Sequence, residues 1–129
     1  MTYAVTIPLR TVGNNGREHW RVKAKRVANE KRVVGKALAH FKQSVAHTVK
    51  LPAVVRLTRG SCGVLDDDNL RGALKGVRDA VASALGVDDG NVTLVLYQYA
   101  QAKTRKGVHD VTVEVFGGYR LRESMEAAG

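Results

Sequence analysis

The chain of 129 residues and 14.0 kDa is long enough for one core that buries about two-thirds of its unfolded surface, and too short for two cores of ordinary size. Lys and Arg number 21 against 12 Asp and Glu, for a net charge of +9, while a hydrophobic share of 44% is ordinary for a globular chain and excludes a disordered polyampholyte. No apolar run approaches the roughly 20 residues of a bilayer span, the first residues lack the basic-then-apolar layout of a signal peptide, and a single cysteine, Cys62, excludes an internal disulfide and, with four scattered histidines, a zinc cage of the usual spacing. A soluble, cytoplasmic chain without membrane contact is expected, and any metal in it would be held by oxygen.

In chain order, residues 3–7 alternate Tyr3, Val5 and Ile7 with Ala4 and Thr6, the period of a half-buried strand that Pro8 ends. Residues 11–16 read as a loop by their glycines and asparagines. Val34, Ala37, Leu38, Phe41 and Val45 recur at helical spacing, and Asn29 with Glu30 makes a start signal, so a first helix is predicted over about 29–47. Pro52 opens a strand over 53–58. From Leu70 the apolar Leu74, Val77, Val81, Ala84 and Leu85 mark one helical face that Gly86 closes, the clearest element of the chain. Its other side carries Arg71, Lys75 and Arg78. Segments 92–100 and 108–116 are β-rich and read as a hairpin around Lys106 and Gly107. The expectation is a single small α/β (α+β) domain over 1–116, in the order β-α-β-α-β-β with a mixed sheet and two helices, followed by a tail of 117–129 without a period.

The net charge favours a polyanion, because cations that neutralise phosphates release condensed counterions. Between Arg17 and Arg32 stand seven cations, Arg17, Arg21, Lys23, Lys25, Arg26, Lys31 and Arg32, against Glu18 and Glu30, with Trp20 inside the run. Two readings stand open here: a solvated helix face with Trp20 in the core, or an arm that tracks phosphates. The acids are arranged differently, since five of the twelve fall in two clusters, Asp66, Asp67, Asp68 and Asp88, Asp89. Dense carboxylates repel phosphate and one another unless a cation sits between them, and Mg²⁺ resolves the contradiction because it takes a few carboxylates and leaves positions for phosphate oxygens. Each cluster alone has a plainer reading: a helix N-cap for Asp66–Asp68 and a turn for Asp89 with Gly90. An EF-hand is excluded, since Leu70 stands two after Asp68 and Val77 occupies the place of the closing glutamate. Asp79, four after Lys75, is read as a helix salt pair and not as a ligand. No histidine stands at a motif distance that would activate Cys62.

Leu65-Asp66-Asp67-Asp68-Asn69-Leu70, then Lys75 with Asp79-Ala80-Val81, then Val87-Asp88-Asp89-Gly90-Asn91-Val92, together resemble the RusA family of Holliday junction resolvases. That family's signature is an Asp-x-Asp-Asn opening a helix, a lysine four before an Asp-Ala, and an Asp-Asp ahead of the next strand. The resemblance covers almost the whole chain. It implies a homodimeric, Mg²⁺-dependent endodeoxyribonuclease that resolves branched DNA in recombination and repair, with Asp66, Asp68 and Asp89 as metal-binding carboxylates and Lys75 as the essential cation. Arg17, Arg21, Lys23, Lys25, Arg26, Arg71 and Arg78 are the candidate DNA contacts. The chain departs from the commoner pattern at one place: four after Asp68 stands Gly72, and Lys75 lies seven after, so that Arg71, one turn from Asp68, is a rival for the same role. A straight helix over 70–85 rises roughly 24 Å and sets the acid clusters near its opposite ends. Either it breaks at Gly72 or Gly76, or two copies pack antiparallel and share a site, the arrangement favoured here. The rival from another class is a basic nucleic-acid-binding module without catalysis, in which the aspartates only cap a helix and shape a turn.

Overall fold

The computed structural model describes residues 2–12, 20–87 and 93–118. Its elements are β1 (Thr2–Ile7), α1 (Trp20–Ala37), β2 (Ala53–Ser61), α2 (Asp67–Ala73), α3 (Lys75–Leu85), β3 (Val95–Lys103) and β4 (Asp110–Phe116); a wide π turn over Phe41–Val45 and a 3₁₀ turn over Ala46–Thr48 prolong α1 toward β2. The four strands form one mixed sheet in the order β1-β4-β2-β3. β2 and β3 are parallel, joined through α2 and α3, whereas β4 runs antiparallel to both β1 and β2.

The small α/β architecture agrees with the expectation, and the strand pairing corrects it. β3 and β4 do not form a hairpin: β2 lies between them. β2 is buried along most of its length, and such a strand is most stable with a ladder on each edge. The connection from β3 to β4 therefore passes the end of β2, where Thr104 N–H donates to the Ser61 carbonyl at 3.1 Å. Gly60 leaves room beside this passage for the Asp110 carboxylate, which an added Cβ would overlap in its present position. A six-residue link between two β-rich segments carries no local mark that separates a hairpin from a step over a third strand.

The first helix also begins nine residues before the predicted start, at Trp20. The Asn29-Glu30 signal loses to the helix propensity of Arg21, Lys23, Ala24, Lys25 and Ala28, and Glu30 is buried inside the helix rather than capping it. The cations from Arg21 to Arg32 thus stand on a largely solvated helix face, yet Trp20 is not core, being 68% exposed.

Register places Tyr3, Val5 and Ile7, Val115, Val113 and Val111, Val55, Leu57 and Arg59, and Tyr97, Tyr99 and Gln101 on one sheet face. The helices cover that face, burying Val34, Leu38 and Phe41 together with Leu70, Leu74, Val77 and Val81 against the valines. The Tyr3 and Phe41 rings meet at a centroid distance of 4.5 Å. The opposite sheet face stays mostly polar and partly open, with Thr6 and Thr112 hydroxyls 3.0 Å apart and Arg56 donating to Gln98 at 3.3 Å.

Candidate nucleic-acid interface

The first acid cluster sits at the start of α2. Asp66 is its N-cap: one carboxylate oxygen accepts the Asn69 N–H at 2.9 Å and the other accepts from the Asn69 side-chain amide at 3.1 Å. Asp67 and Asp68 occupy the first turn, exposed to solvent and favoured there by the unpaired amides of the helix start. The position is fixed from outside the helix by Gln101 of β3, which accepts the Leu65 N–H at 2.9 Å and donates to the Leu65 carbonyl at 2.8 Å. Replacing one backbone partner pair of a strand, this amide anchors the residue before the cap to the sheet.

The helix breaks once, at Leu74, between the two glycines named from the sequence. The break is slight, since Leu74 N–H still reaches the Leu70 carbonyl at 3.1 Å and Arg78 N–H the Leu74 carbonyl at 2.9 Å. With the helical path preserved, Asp68 and Lys75, seven residues apart, lie two turns from one another on nearly the same side. Lys75 is exposed at the start of α3. Arg71 and Arg78 lie against the sheet: the Arg71 guanidinium is 5.3 Å from the Tyr99 ring centre, that of Arg78 is 4.6 Å from the Tyr97 ring, and Arg78 donates to the Tyr99 hydroxyl at 3.3 Å. Arg71, Gly72, Lys75, Arg78 and Tyr99 together line a cleft of about 260 Å³. Lys75 and its rival Arg71 are therefore neighbours in one cationic cleft.

On α1, Arg21, Lys23 and Lys25 are exposed. Arg26 turns inward to Glu30, at 3.1 Å, with its side chain 17% exposed. Asp79 pairs across the helices with Lys31 at 3.3 Å, not with Lys75, which corrects the helix salt pair read from spacing. Asp88, Asp89 and Arg17 lie outside the described residues. Among the described residues no three His, Cys, Asp or Glu side chains converge as a metal site. The donors present at α2 are hard carboxylate oxygens, the chemistry Mg²⁺ takes, and Asp66 keeps lone pairs beyond its two capping bonds.

Sequence reasoning missed Gln101, Tyr97 and Tyr99. Their signal was present as a period-two row on β3, Tyr-x-Tyr-x-Gln, facing the helices. It also missed Arg59, 8% exposed, which donates to the Thr11 hydroxyl at 3.1 Å and to the Gly63 carbonyl at 3.1 Å, clasping the segment after β1 to the end of β2. Burial above all, and also the nearby Arg10, push the Arg59 guanidinium below its ordinary value, while Cys62 works in the other direction.

No family model matches the chain, and no curated protein matches it. Among solved structures it is similar to a protein of Agrobacterium tumefaciens, Atu1372, described as having unknown function, at 14% identity and a TM-score of 0.41, covering 88% of this chain and 74% of that one. A likeness of that degree carries no argument about what this chain does. No helix among the described residues is long and apolar enough to cross a membrane.

Proposed function

We propose that the chain is a Mg²⁺-dependent endodeoxyribonuclease acting on branched DNA such as a four-way junction, in the manner of the RusA family that its motifs resemble. The observation that carries this reading is the juxtaposition at α2: exposed Asp67 and Asp68 and the cap Asp66 open a helix whose next two turns present Arg71, Lys75 and Arg78 in one cleft. Carboxylates that hold a cation beside cations that hold phosphate are what metal-dependent phosphodiester cutting uses. Asp66 and Asp68, with Asp89, would hold Mg²⁺, which when bound activates water and stabilises charge on the departing 3′ oxygen. Arg71 and Lys75 neutralise the scissile phosphate, and the tyrosines beneath Arg71 and Arg78 limit the freedom of both guanidinium groups before DNA arrives.

Two copies sharing each site is the assembly we favour. Its support is the separation of the described residues that border the second acid cluster. The chain leaves α3 at Gly86 and returns at Thr93 and Leu94, whose carbonyl accepts the Ala53 N–H at the N-terminal end of β2. Leu65, by contrast, is bound to Gln101, seven residues further along than Leu94, roughly 23 Å of extended chain. A twofold dimer packed with these helices antiparallel would bring the start of one α2 to the α3 end of its partner and would also give the paired nicks that a junction needs.

The test is incubation with labelled four-way junction, linear duplex and single-stranded RNA, each with Mg²⁺ or with chelator. Junction products that need Mg²⁺ are expected; no metal-dependent product from any substrate would favour a binding module without catalysis, the reading that the complete capping role of Asp66 supports. Mixing Asp68→Asn with Asp89→Asn subunits then tests the sharing, because a heterodimer rebuilds one intact centre only if each site draws on both chains.

A further inference from the structure

The helical layer holds a second cleft, of about 500 Å³, lined by Trp20, Lys23 and Lys31 of α1 and by Gly72, Lys75 and Asp79 across from them. Its volume falls within the roughly 300–1,000 Å³ of sites that enclose small organic groups. Three lysines face one aspartate, and that aspartate is already matched by Lys31 at 3.3 Å. Trp20 is 68% exposed at one end of the cleft, with the Arg21 guanidinium 5.2 Å from its ring centre. An indole this exposed forgoes most of the burial such a ring offers a core, and leaves much of its surface open to a solute.

The helices place this indole near the carboxylates. Lys31 meets Asp79, and further back Gly76 of α3 approaches Glu30 and the Val27 carbonyl, so α1 and α2–α3 run side by side in the same direction. Counting eleven residues back from the Lys31–Asp79 contact reaches Trp20 on one helix and Asp68 on the other, each roughly 16 Å from that contact. Trp20 is therefore at the same end of the helical layer as the first acid cluster. Lys75 lines both this cleft and the one beneath Arg71 and Arg78.

We propose that the cleft between α1 and α2–α3 takes one unpaired DNA nucleotide, its base stacked on Trp20 and its phosphate held by Lys23 and Lys75. The proposal rests on the DNA-binding part of the function proposed above and not on cutting. Every base presents a π face, so an aromatic platform flanked by cations selects unpaired over paired nucleotides without reading sequence. At a branch point, where a base is exposed or easily unstacked, the same contact would select structure.

Trp20 is the one tryptophan of the chain, so its emission reports this site alone. Labelled single-stranded DNA, four-way junction, blunt duplex and single-stranded RNA are titrated in chelator and low salt, with anisotropy measuring binding and tryptophan emission measuring stacking. Quenching that saturates together with anisotropy is expected for single strand and junction, and little quenching for duplex. Trp20→Ala weakens single-strand and junction binding by roughly 5- to 100-fold and duplex binding by less than about 2-fold, while Trp20→Phe retains most of the affinity. Saturated DNA binding with unchanged emission, or an equal loss on duplex and single strand, would overturn the stacking and leave the DNA reading standing. Tighter binding and quenching by RNA would assign the cleft to RNA and overturn the proposal as stated. If no nucleic acid binds by anisotropy, both readings fall together.

Discussion

Glu30 and Asp66 bear the same functional group on the same helical layer, and their surroundings give them opposite roles. Glu30 is 2% exposed, paired with Arg26 at 3.1 Å and pressed against Gly76, where an added Cβ would come within 2.8 Å of its carboxylate. Asp66 is exposed, and Asn69 holds its two oxygens in place without burying them. A carboxylate closed in by protein stabilises a helix contact and has no access to solutes; one held by two hydrogen bonds at the surface is oriented and still open to a cation. The contrast teaches that accessible, pre-oriented oxygen, not acidity in itself, is what makes a carboxylate a candidate ligand.

The largest effect that would test this contrast is expected at Asp68. Asp68→Asn should lower junction cutting by roughly 10²-fold or more while leaving junction binding in a gel shift as tight as before, since removing negative charge cannot weaken phosphate attraction. Parallel loss of binding would count against a role confined to the chemistry. On the buried side, Arg26→Met withdraws the cation paired with Glu30 and should cost on the order of 3 kcal/mol, read as a lower urea midpoint at unchanged slope. An unchanged midpoint would show that Glu30 does not depend on that pair.

Gly76→Ala should destabilise by about 1–3 kcal/mol in the same assay, through the close approach of the new methyl to Glu30, and should cost clearly less in a Glu30→Ala background. Equal costs in the two backgrounds would place the strain elsewhere, as at the Val27 carbonyl 3.3 Å away. A smaller effect separates the two roles of Asp66. Asp66→Ala should lose about 1 kcal/mol of stability with its cap, whereas Asp66→Asn, whose amide oxygen still accepts the Asn69 N–H, should keep most of it. If Asp66→Asn also cuts like the parent, Asp66 is a cap and nothing more. Smallest of all, Tyr99→Phe removes the hydroxyl that accepts from Arg78 yet keeps the ring beneath Arg71, so about 0.5–1 kcal/mol is expected in thermal unfolding.

Much of this molecule can be read locally. The alternation of Tyr3, Val5 and Ile7, the apolar stripe from Leu70 to Leu85, its closure at Gly86 and the cap at Asp66 each depend on neighbours within a few residues, and each is found in the fold. Half of the candidate site is legible for the same reason, since an Asp-rich helix start followed by cations at helical spacing is a one-dimensional pattern. What failed did so where the deciding partner is distant in sequence. Asn29 and Glu30 look like a helix start until burial against Gly76 is known, and segments 92–100 and 108–116 look like a hairpin until β2 is seen to claim the place between them.

By itself, then, the sequence determined the periods, the small α/β composition, the cationic surface and the placing of carboxylates at a helix start, because these follow from backbone geometry and charge over short stretches. Only the tertiary structure decided that Arg26 faces inward, that Tyr97, Tyr99 and Gln101 form the bed under α2 and the first turn of α3, and that Trp20 stands exposed beside Lys23 and Lys75. Those choices depend on which faces are brought together across the sheet and between the helices, and competition for burial over long sequence separations settles them.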